Sequence, residues 1–332
     1  MAVAANTYLT FDARRNREDF SDAIYMITPE EVPGMTLLGR ENVESTHPEW
    51  NTDTLATPDN TNAFPQGDEF TYDQIAPTTR LGNYTQISRK SYLISRTQEK
   101  TLKAGPKSEL GRERRKKGVE LKKDMEAILL SNQASNAGTS AVAPRLGSLP
   151  SWLTSNDNRG VGGSDGGFNA GTGLTVAATN GTQRAFTKAI LDDIILKAYN
   201  SGGNPTTLLV SPYVKTVFST FMDDADVVPL RKQASNGQQT LYAAADAYQS
   251  NFGMIDIVPN RVMATSAALA RNAFLLDPDF AAVGIFDDIQ EKKPAITGDA
   301  EKRVLIVEYT FLMKNEAAHG IAADLFGLSS SS

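Results

Sequence analysis

The stretch from Glu109 to Ser131, ELGRERRKKGVELKKDMEAILLS, constrains the fold most, because it has no proline and strong helix formers at most positions. Leu121, Met125, Ile128 and Leu129 recur at three- and four-residue spacing, so it reads as a helix with one apolar edge in its C-terminal half. The N-terminal half differs. Arg112, Arg114, Arg115, Lys116 and Lys117 are interrupted only by Glu113, a charge density that no core accepts on all sides. Ser108 stands where an N-cap belongs, with Gly111 instead of a carboxylate three residues on. Roughly six turns and about 35 Å exceed the three-turn helix usual in a compact domain. Such a helix suits a chain that spreads over an area.

Charge is divided along the chain as sharply as within this helix. Residues 80–123 hold fourteen Lys or Arg against four Glu, a charge of +10, so the remainder of a chain with net charge -6 carries -16. A basic strip on an acidic background can bind nucleic acid, or it can bind copies of the same chain, strip against acidic surface. The absence of cysteine excludes disulfides, thiolate chemistry and cysteine metal sites, and intracellular assembly is the simplest expectation. The first twenty residues mix Asp12, Arg14, Arg15, Arg17, Glu18 and Asp19 with short apolar pieces and do not read as a signal peptide or a membrane span. The triplets at Asn83 and Asn180 match a glycosylation acceptor by chance on this reading. The 332 residues are enough for two or three lobes.

In chain order, residues 1–65 offer little for a core of their own. A short helix is expected over Asp19 to Ile27 and a turn at Thr28 to Glu31. Trp50 and Phe64 lie in a polar segment studded with Pro48, Pro58 and Pro65, and large aromatics there want a surface to dock on. From Glu69 the pattern turns to strands: Phe70 and Tyr72 alternate, Tyr84 to Ser88 and Tyr92 to Ile94 follow, and Gly82-Asn83 suggests a turn, together a two-stranded ribbon reaching into solvent. Residues 132–184 read as a long surface loop anchored by Trp152 alone. Phe186, Ile190, Ile194 and Ala198 then form a helical stripe ended by Gly202-Gly203. Leu208 to Val210 is a buried strand, and Ser211-Pro212 caps a helix carrying Val214, Val217, Phe218 and Phe221. This small α/β lobe continues through strands expected at Leu241 to Tyr248, Gly253 to Val258 and Ala273 to Leu276 and ends near Phe286. Val304 to Met313 is the strongest strand, with Leu305, Val307, Tyr309, Phe311 and Met313 on one face. Lys314 to Glu316 reads as a turn from which Ala317 to Ala323 returns as a hairpin strand whose small residues seat the helix at 109–131.

Candidate sites are few, and no catalytic, cofactor-binding or metal-binding residue is assigned. His47 and His319 have no histidine partner at metal spacing and read as structural. GVGGSDGG at 160–167 lacks the Gly-Lys-Ser/Thr of a phosphate cradle and reads as loop. Asp223, Asp224 and Asp226 lack calcium-loop spacing and read as a solvated helix exit. No Gly-x-Ser-x-Gly occurs, so a serine nucleophile elbow is not indicated. The run Arg112 to Lys117 has no interleaved aromatics for base stacking, which leaves ion pairs between subunits or the lining of a polyanion as its uses.

The order of parts, with ITPEEVPGMTLLGRENVESTHPEWNTDTL from Ile27, the SRTQEK junction at Ser95, TLLVSPYVKTVFSTF from Thr207 and VLIVEYTFLMKNEAAHGIAADL from Val304, resembles a major capsid protein of a tailed bacteriophage with the HK97-type shell fold. The resemblance spans nearly the entire chain. It implies an α+β fold with an N-terminal arm at 1–65, an extended β-ribbon loop at 66–105, a peripheral domain from 106–185 and 291–332 containing the spine helix, and an axial domain at 186–290. It also implies no enzymatic role, assembly of many copies in pentamers and hexamers in the host bacterial cytoplasm, and a virion head around double-stranded DNA. The implied partners are a separate scaffolding protein, a portal and a decoration protein, with no membrane. No removable coiled coil is seen before the arm, so shell formation without proteolysis of the chain is expected. Some shells of this type cross-link through a lysine of the extended loop, where Lys90 would stand. The alternatives are a cellular nanocompartment shell of the same fold and a basic nucleic-acid-binding protein of another fold.

Overall fold

A computed structural model describes residues 31–70, 72, 74–101, 108–221, 246–295 and 298–331. The described chain opens with α1 (Pro33–Leu38), β1 (Arg40–Asn42), β2 (Glu49–Thr52), β3 (Thr79–Gly82), β4 (Gln86–Ser95), α2 (Arg96–Lys100) and α3 (Glu109–Leu130). There follow β5 (Asp157–Asn158), the pair β6 (Gly167–Asn169) and β7 (Leu174–Val176), α4 (Lys188–Asn200), β8 (Thr207–Val210) and α5 (Pro212–Thr220). The last elements are β9 (Ala247–Gln249), β10 (Met254–Pro259), α6 (Ala267–Ala270), β11 (Ala273–Leu276), β12 (Ala281–Lys292), β13 (Ala300–Met313) and β14 (Gly320–Ala322). The helix expected at 19–27 and the acidic residues 223–226 lie outside the described residues.

Helix α3 is the long element its sequence demands. Ser108 caps it, its Oγ accepting the Gly111 N–H at 3.1 Å. The carboxylate that its own sequence lacks comes from α2, where Glu99 accepts the N–H groups of Glu109 and Leu110 at 3.0 and 3.4 Å. Leu121, Met125, Leu129 and Leu130 are buried, all in the C-terminal half, as the apolar spacing requires.

This edge packs on a four-stranded sheet of order β1-β12-β13-β4, antiparallel except for the parallel β1–β12 pair. Leu305, Val307, Tyr309, Phe311 and Met313 point into the shared core, each 4 % exposed or less, which bears out the alternation in β13. A second sheet, β5-β14-β11-β8-β10-β9, carries α4 and α5, with Ile190, Leu191, Ile194, Ile195 and Ala198 of α4 and Val214 and Phe218 of α5 in its own core. The chain crosses between the two sheets three times, from β4 to β5 by way of α3, from β11 to β12 through Pro278–Phe280 and from β13 to β14 through Glu316–Ala318.

The tertiary pairings differ from the local reading at four places. β4 does not form a ribbon with a neighbour in sequence: it pairs with β13 over ten residues, while β3 pairs with β2. The reason is that Tyr92 and Ser88 find hydrogen-bond partners in the half-buried Glu291 and the buried Tyr309, which a free ribbon cannot supply. Among the described residues, Phe70 and Tyr72 pair with no strand, and they are 87 % and 92 % exposed. The C-terminal hairpin is absent, because β14 leaves β13 and joins β11 and β5 in the other sheet. Its small residues consequently seat α4, and Gly320 lies 3.6 Å from Ile194 by the position its Cβ would take. β12 is a full strand that runs through Phe286 without stopping there.

Residues 132–184 are far better packed than a surface loop. Leu146, Leu149, Trp152 and Leu153 are all 2 % exposed or less and belong to the α3 core. The fixing residue is Asn83, fully buried, whose side chain donates to the carbonyls of Gly147 and Phe311 and accepts the Gly147 N–H at 2.7 Å. A lone Asn in a turn-like dipeptide gives no local sign of this.

Candidate assembly surface

The basic half of α3 meets the end of β12 across an open groove of about 650 Å³, lined by Arg40, Arg114, Arg115, Lys122, Asp288 and Glu291 among others. Gly111 and Gly118 face the same groove, and a Cβ at Gly118 would meet nothing within 4 Å. A helix-interior glycine costs about 0.5–1 kcal/mol relative to alanine, so the bare backbone here answers no need of the single chain's packing.

Much of the basic strip is neutralised within the subunit. Lys90 pairs with Asp124 at 2.6 Å, Arg96 with Asp299 at 2.7 Å, Arg112 with Glu109 at 3.0 Å and Lys117 with Glu120 at 2.7 Å, and Arg80 pairs with Glu49. The hydrogen bond to Lys117 holds the Glu120 carboxyl below its ordinary range. Arg114 lies 3.7 Å from Glu291, a carboxylate that also takes the Tyr92 hydroxyl at 2.5 Å and lies 3.8 Å from Arg303. Burial, then this carboxylate, pushes the Tyr92 phenol up to about 12. Among the described residues of the strip, Arg89, Lys100, Arg115, Lys116, Lys122 and Lys123 make no ion pair, and these six are left over for another molecule.

The opposite charge, with apolar surface, lies in the 26-residue connection between β2 and β3. Residues 53–78 contain five Asp or Glu and no Lys or Arg. Leu55, Phe64, Phe70, Tyr72 and Ile75 in this loop are 73–99 % exposed. Trp50, expected to dock on a neighbour with Phe64, instead lies against its own chain: its ring is 5.6 Å from Trp152, which stacks on Phe168 at 5.5 Å. Phe64 alone of the two remains available.

The arm is tied to α3 by a buried carboxylate that hydrophobic spacing does not reveal. Glu126 is fully buried on the core side of α3 and accepts the N–H groups of Gly34 and Met35 at 2.7 Å each, at the start of α1, and the Asn260 amide at 2.6 Å. A Cβ on Gly34 would stand 2.7 Å from Glu126 Oε1, so only glycine permits the approach. Burial pushes the Glu126 carboxyl up, and the two backbone N–H groups and Asn260 oppose this. Thus one side chain joins the arm, the spine helix and the turn that follows β10.

The remaining candidates fall to structural roles in the fold. His47 stacks on Tyr84 at 4.2 Å, and His319 is fully buried with Nδ1 accepting the Asp277 N–H at 3.2 Å. Burial brings His319 down to about 4 despite the Phe280 carbonyl and Glu316 beside it. The 160–167 loop is pinned by Asp324, which accepts the Gly160 N–H at 3.0 Å. Lys90 lies in the sheet and not in the exposed connection, with its amine on Asp124. Among the described residues no cluster of three or more His, Cys, Asp or Glu could hold a metal, and no helix is long and apolar enough to cross a membrane.

Residues 3–326 match the model of the SU10 major capsid protein family. The chain belongs to this family. The major capsid protein of Escherichia phage Phieco32 is 24 % identical over 343 residues, covering 95 % of this chain and 96 % of that one. Among solved structures, the capsid of a native GTA particle has a TM-score of 0.63 at 11 % identity, covering 96 % and 99 % of the two chains. A chain of Gordonia phage Cozz has 0.59 at 13 %, covering 97 % and 96 %. The SrpI encapsulin of Synechococcus elongatus PCC 7942 has 0.52 at 11 %, covering 93 % and 92 %. The fold is HK97-like, shared by phage capsids and the encapsulin, and the family match makes this SU10-type chain a phage major capsid protein, a structural component of the virion. The groove, the unpaired cations and the exposed loop are therefore surfaces of a shell-forming subunit.

Proposed function

We propose that copies of this chain close into an icosahedral head of five- and six-membered rings around double-stranded DNA, assembling in the host cytoplasm. The observation that carries this is the loop at 53–78. Five large apolar side chains at 73–99 % exposure in an acidic segment are a contact awaiting a partner, since both cores of the subunit are already filled from other elements. The most economical partner is another copy, because the same subunit presents Arg115, Lys122 and Arg40 around an open groove.

The arm (1–65), extended loop (66–105), peripheral domain (106–185 with 291–332) and axial domain (186–290) are the division the shell fold suggests. The free cations Arg89, Lys116 and Lys123 are candidates for non-specific contact with packaged DNA. A scaffolding protein, a portal and a decoration protein complete the proposed set of partners. The deciding experiment is electron microscopy and nucleic-acid analysis of particles purified from expressing cells and from phage. Closed heads with genome-length DNA in the phage particles are expected. A stable monomer at high concentration would refute the reading, and shells that enclose an enzyme would favour the nanocompartment alternative.

A further inference from the structure

The loop GVGGSDGG at 160–167 follows directly on β5, the outermost strand of the six-stranded sheet. Five of its eight residues are glycine, the residue whose backbone loses most entropy when fixed, so the loop must be fastened from outside. Its backbone is tied to the segment at 179–182: Ser164 and Thr179 exchange hydrogen bonds at 3.1 and 2.9 Å, and the Thr182 N–H reaches the Val161 carbonyl at 2.9 Å. Val161 at its tip is 87 % exposed. A side-chain tie runs from Asp165 in the loop to Arg159 at the end of β5.

This tie is unusual in its charges. The Arg159 Nε lies 2.6 Å from Asp165 Oδ1 and 3.0 Å from Asp157 Oδ2, so two carboxyls converge on a nitrogen that has one hydrogen to give. The Arg159 side chain is 7 % exposed, and water therefore screens the arrangement little. The two carboxyls are also within hydrogen-bond contact of each other, a contact that holds only when one of them carries a proton. The surrounding charges do not replace that proton. From α4, Lys197 gives its amine to the Asp157 carbonyl at 2.6 Å, but its charge is matched by Asp193 at 3.0 Å. Arg184 approaches through Asn158, whose amide in turn goes to Asp193.

We propose that residues 160–167 form a proton-operated latch on β5, held closed by a proton shared between Asp157 and Asp165 and loosened when that proton is lost. The latch lies within one subunit, so it stands apart from the reading of how copies assemble. Burial, then the Asp165 carboxyl, pushes the Asp157 carboxyl up to about 6 from an ordinary 3.8, against the pull of Arg159 and Lys197. The contribution of the pair to closure is therefore fully present below 3.8 and is lost as pH rises through about 6. With Asp157 returning to 3.8 in the open loop, linkage gives an open fraction about tenfold larger at pH 7.5 than at pH 5.

Hydrogen exchange of the full chain tests this, with rates corrected for the intrinsic pH dependence of amide exchange and β13 as the reference. In the wild type, protection of the Ser164, Thr179 and Thr182 amides should fall about tenfold between pH 5 and 7.5 while β13 does not follow. Protection that is flat or rises over this range would overturn the latch, and this result needs no variant. Asp157→Asn should abolish the change. Asp165→Asn should reduce it without removing it, because Asp157 stays buried. The full tenfold change persisting in either variant would overturn the assignment to this pair.

Discussion

Glu126→Ala tests how the arm is fixed to the subunit. The substitution removes the acceptor of three buried donors, the Gly34 and Met35 N–H groups and the Asn260 amide, held at 2.6–2.7 Å. Hydrogen bonds to a charged acceptor are worth roughly 1.5–3 kcal/mol each, so the gross loss is about 5–9 kcal/mol. Against this stands the several kcal/mol that a carboxylate with no cation loses when buried, which the alanine variant recovers. The net expectation is a loss of about 2–4 kcal/mol. Unfolding in denaturant followed by tryptophan fluorescence is the assay, because both tryptophans, Trp50 and Trp152, lie in one cluster packed against the α3 core. The pH dependence gives a second, independent sign. Burial raises the Glu126 carboxyl above its unfolded value, so its contribution is fully present below about 4.5 and is lost as pH rises through the folded value. The difference between wild type and variant should therefore be larger at pH 4 than at pH 8. An alanine variant as stable as wild type at both pH values, or a difference growing toward alkaline pH, would refute this account of the carboxylate.

Three further outcomes follow from other parts of the molecule. His319 is kept neutral by burial, at about 4 against 6.5 when unfolded, so subunit stability should fall by roughly 3 kcal/mol as pH drops from 6.5 to 4 and then level off for this group; a His319→Gln variant with the same acid sensitivity would contradict it. Replacing residues 54–77 by a short Gly/Ser turn should leave unfolding of the subunit unchanged and prevent closed shells, as sizing by light scattering would report; normal particles would make the loop dispensable. Arg115→Glu with Lys122→Glu, which breaks no ion pair within the described subunit, should weaken shells most at low salt, since screening shortens to about 3 Å at 1 M. Unchanged assembly with altered DNA retention would assign these cations to the genome instead.

The sequence by itself determined what short-range physics controls. Spacing and propensity set α3, α4 and α5, with caps at Ser108 for α3 and Ser211 for α5, and alternation set the buried face of β13. The charge division and the unsheltered Phe64 were also legible, because a segment without a core of its own advertises its need for one. Pairing was decided only in three dimensions. Whether β14 returns along β13 or crosses to β11 depends on which sheet can accept its small residues beside α4, and no local signal at 317–323 distinguishes the two. Likewise the polar residues that fix the subunit, Glu126, Asn83 and Asp324, act on partners 64 to 228 residues away, so their roles appear only when those partners are brought within hydrogen-bond reach.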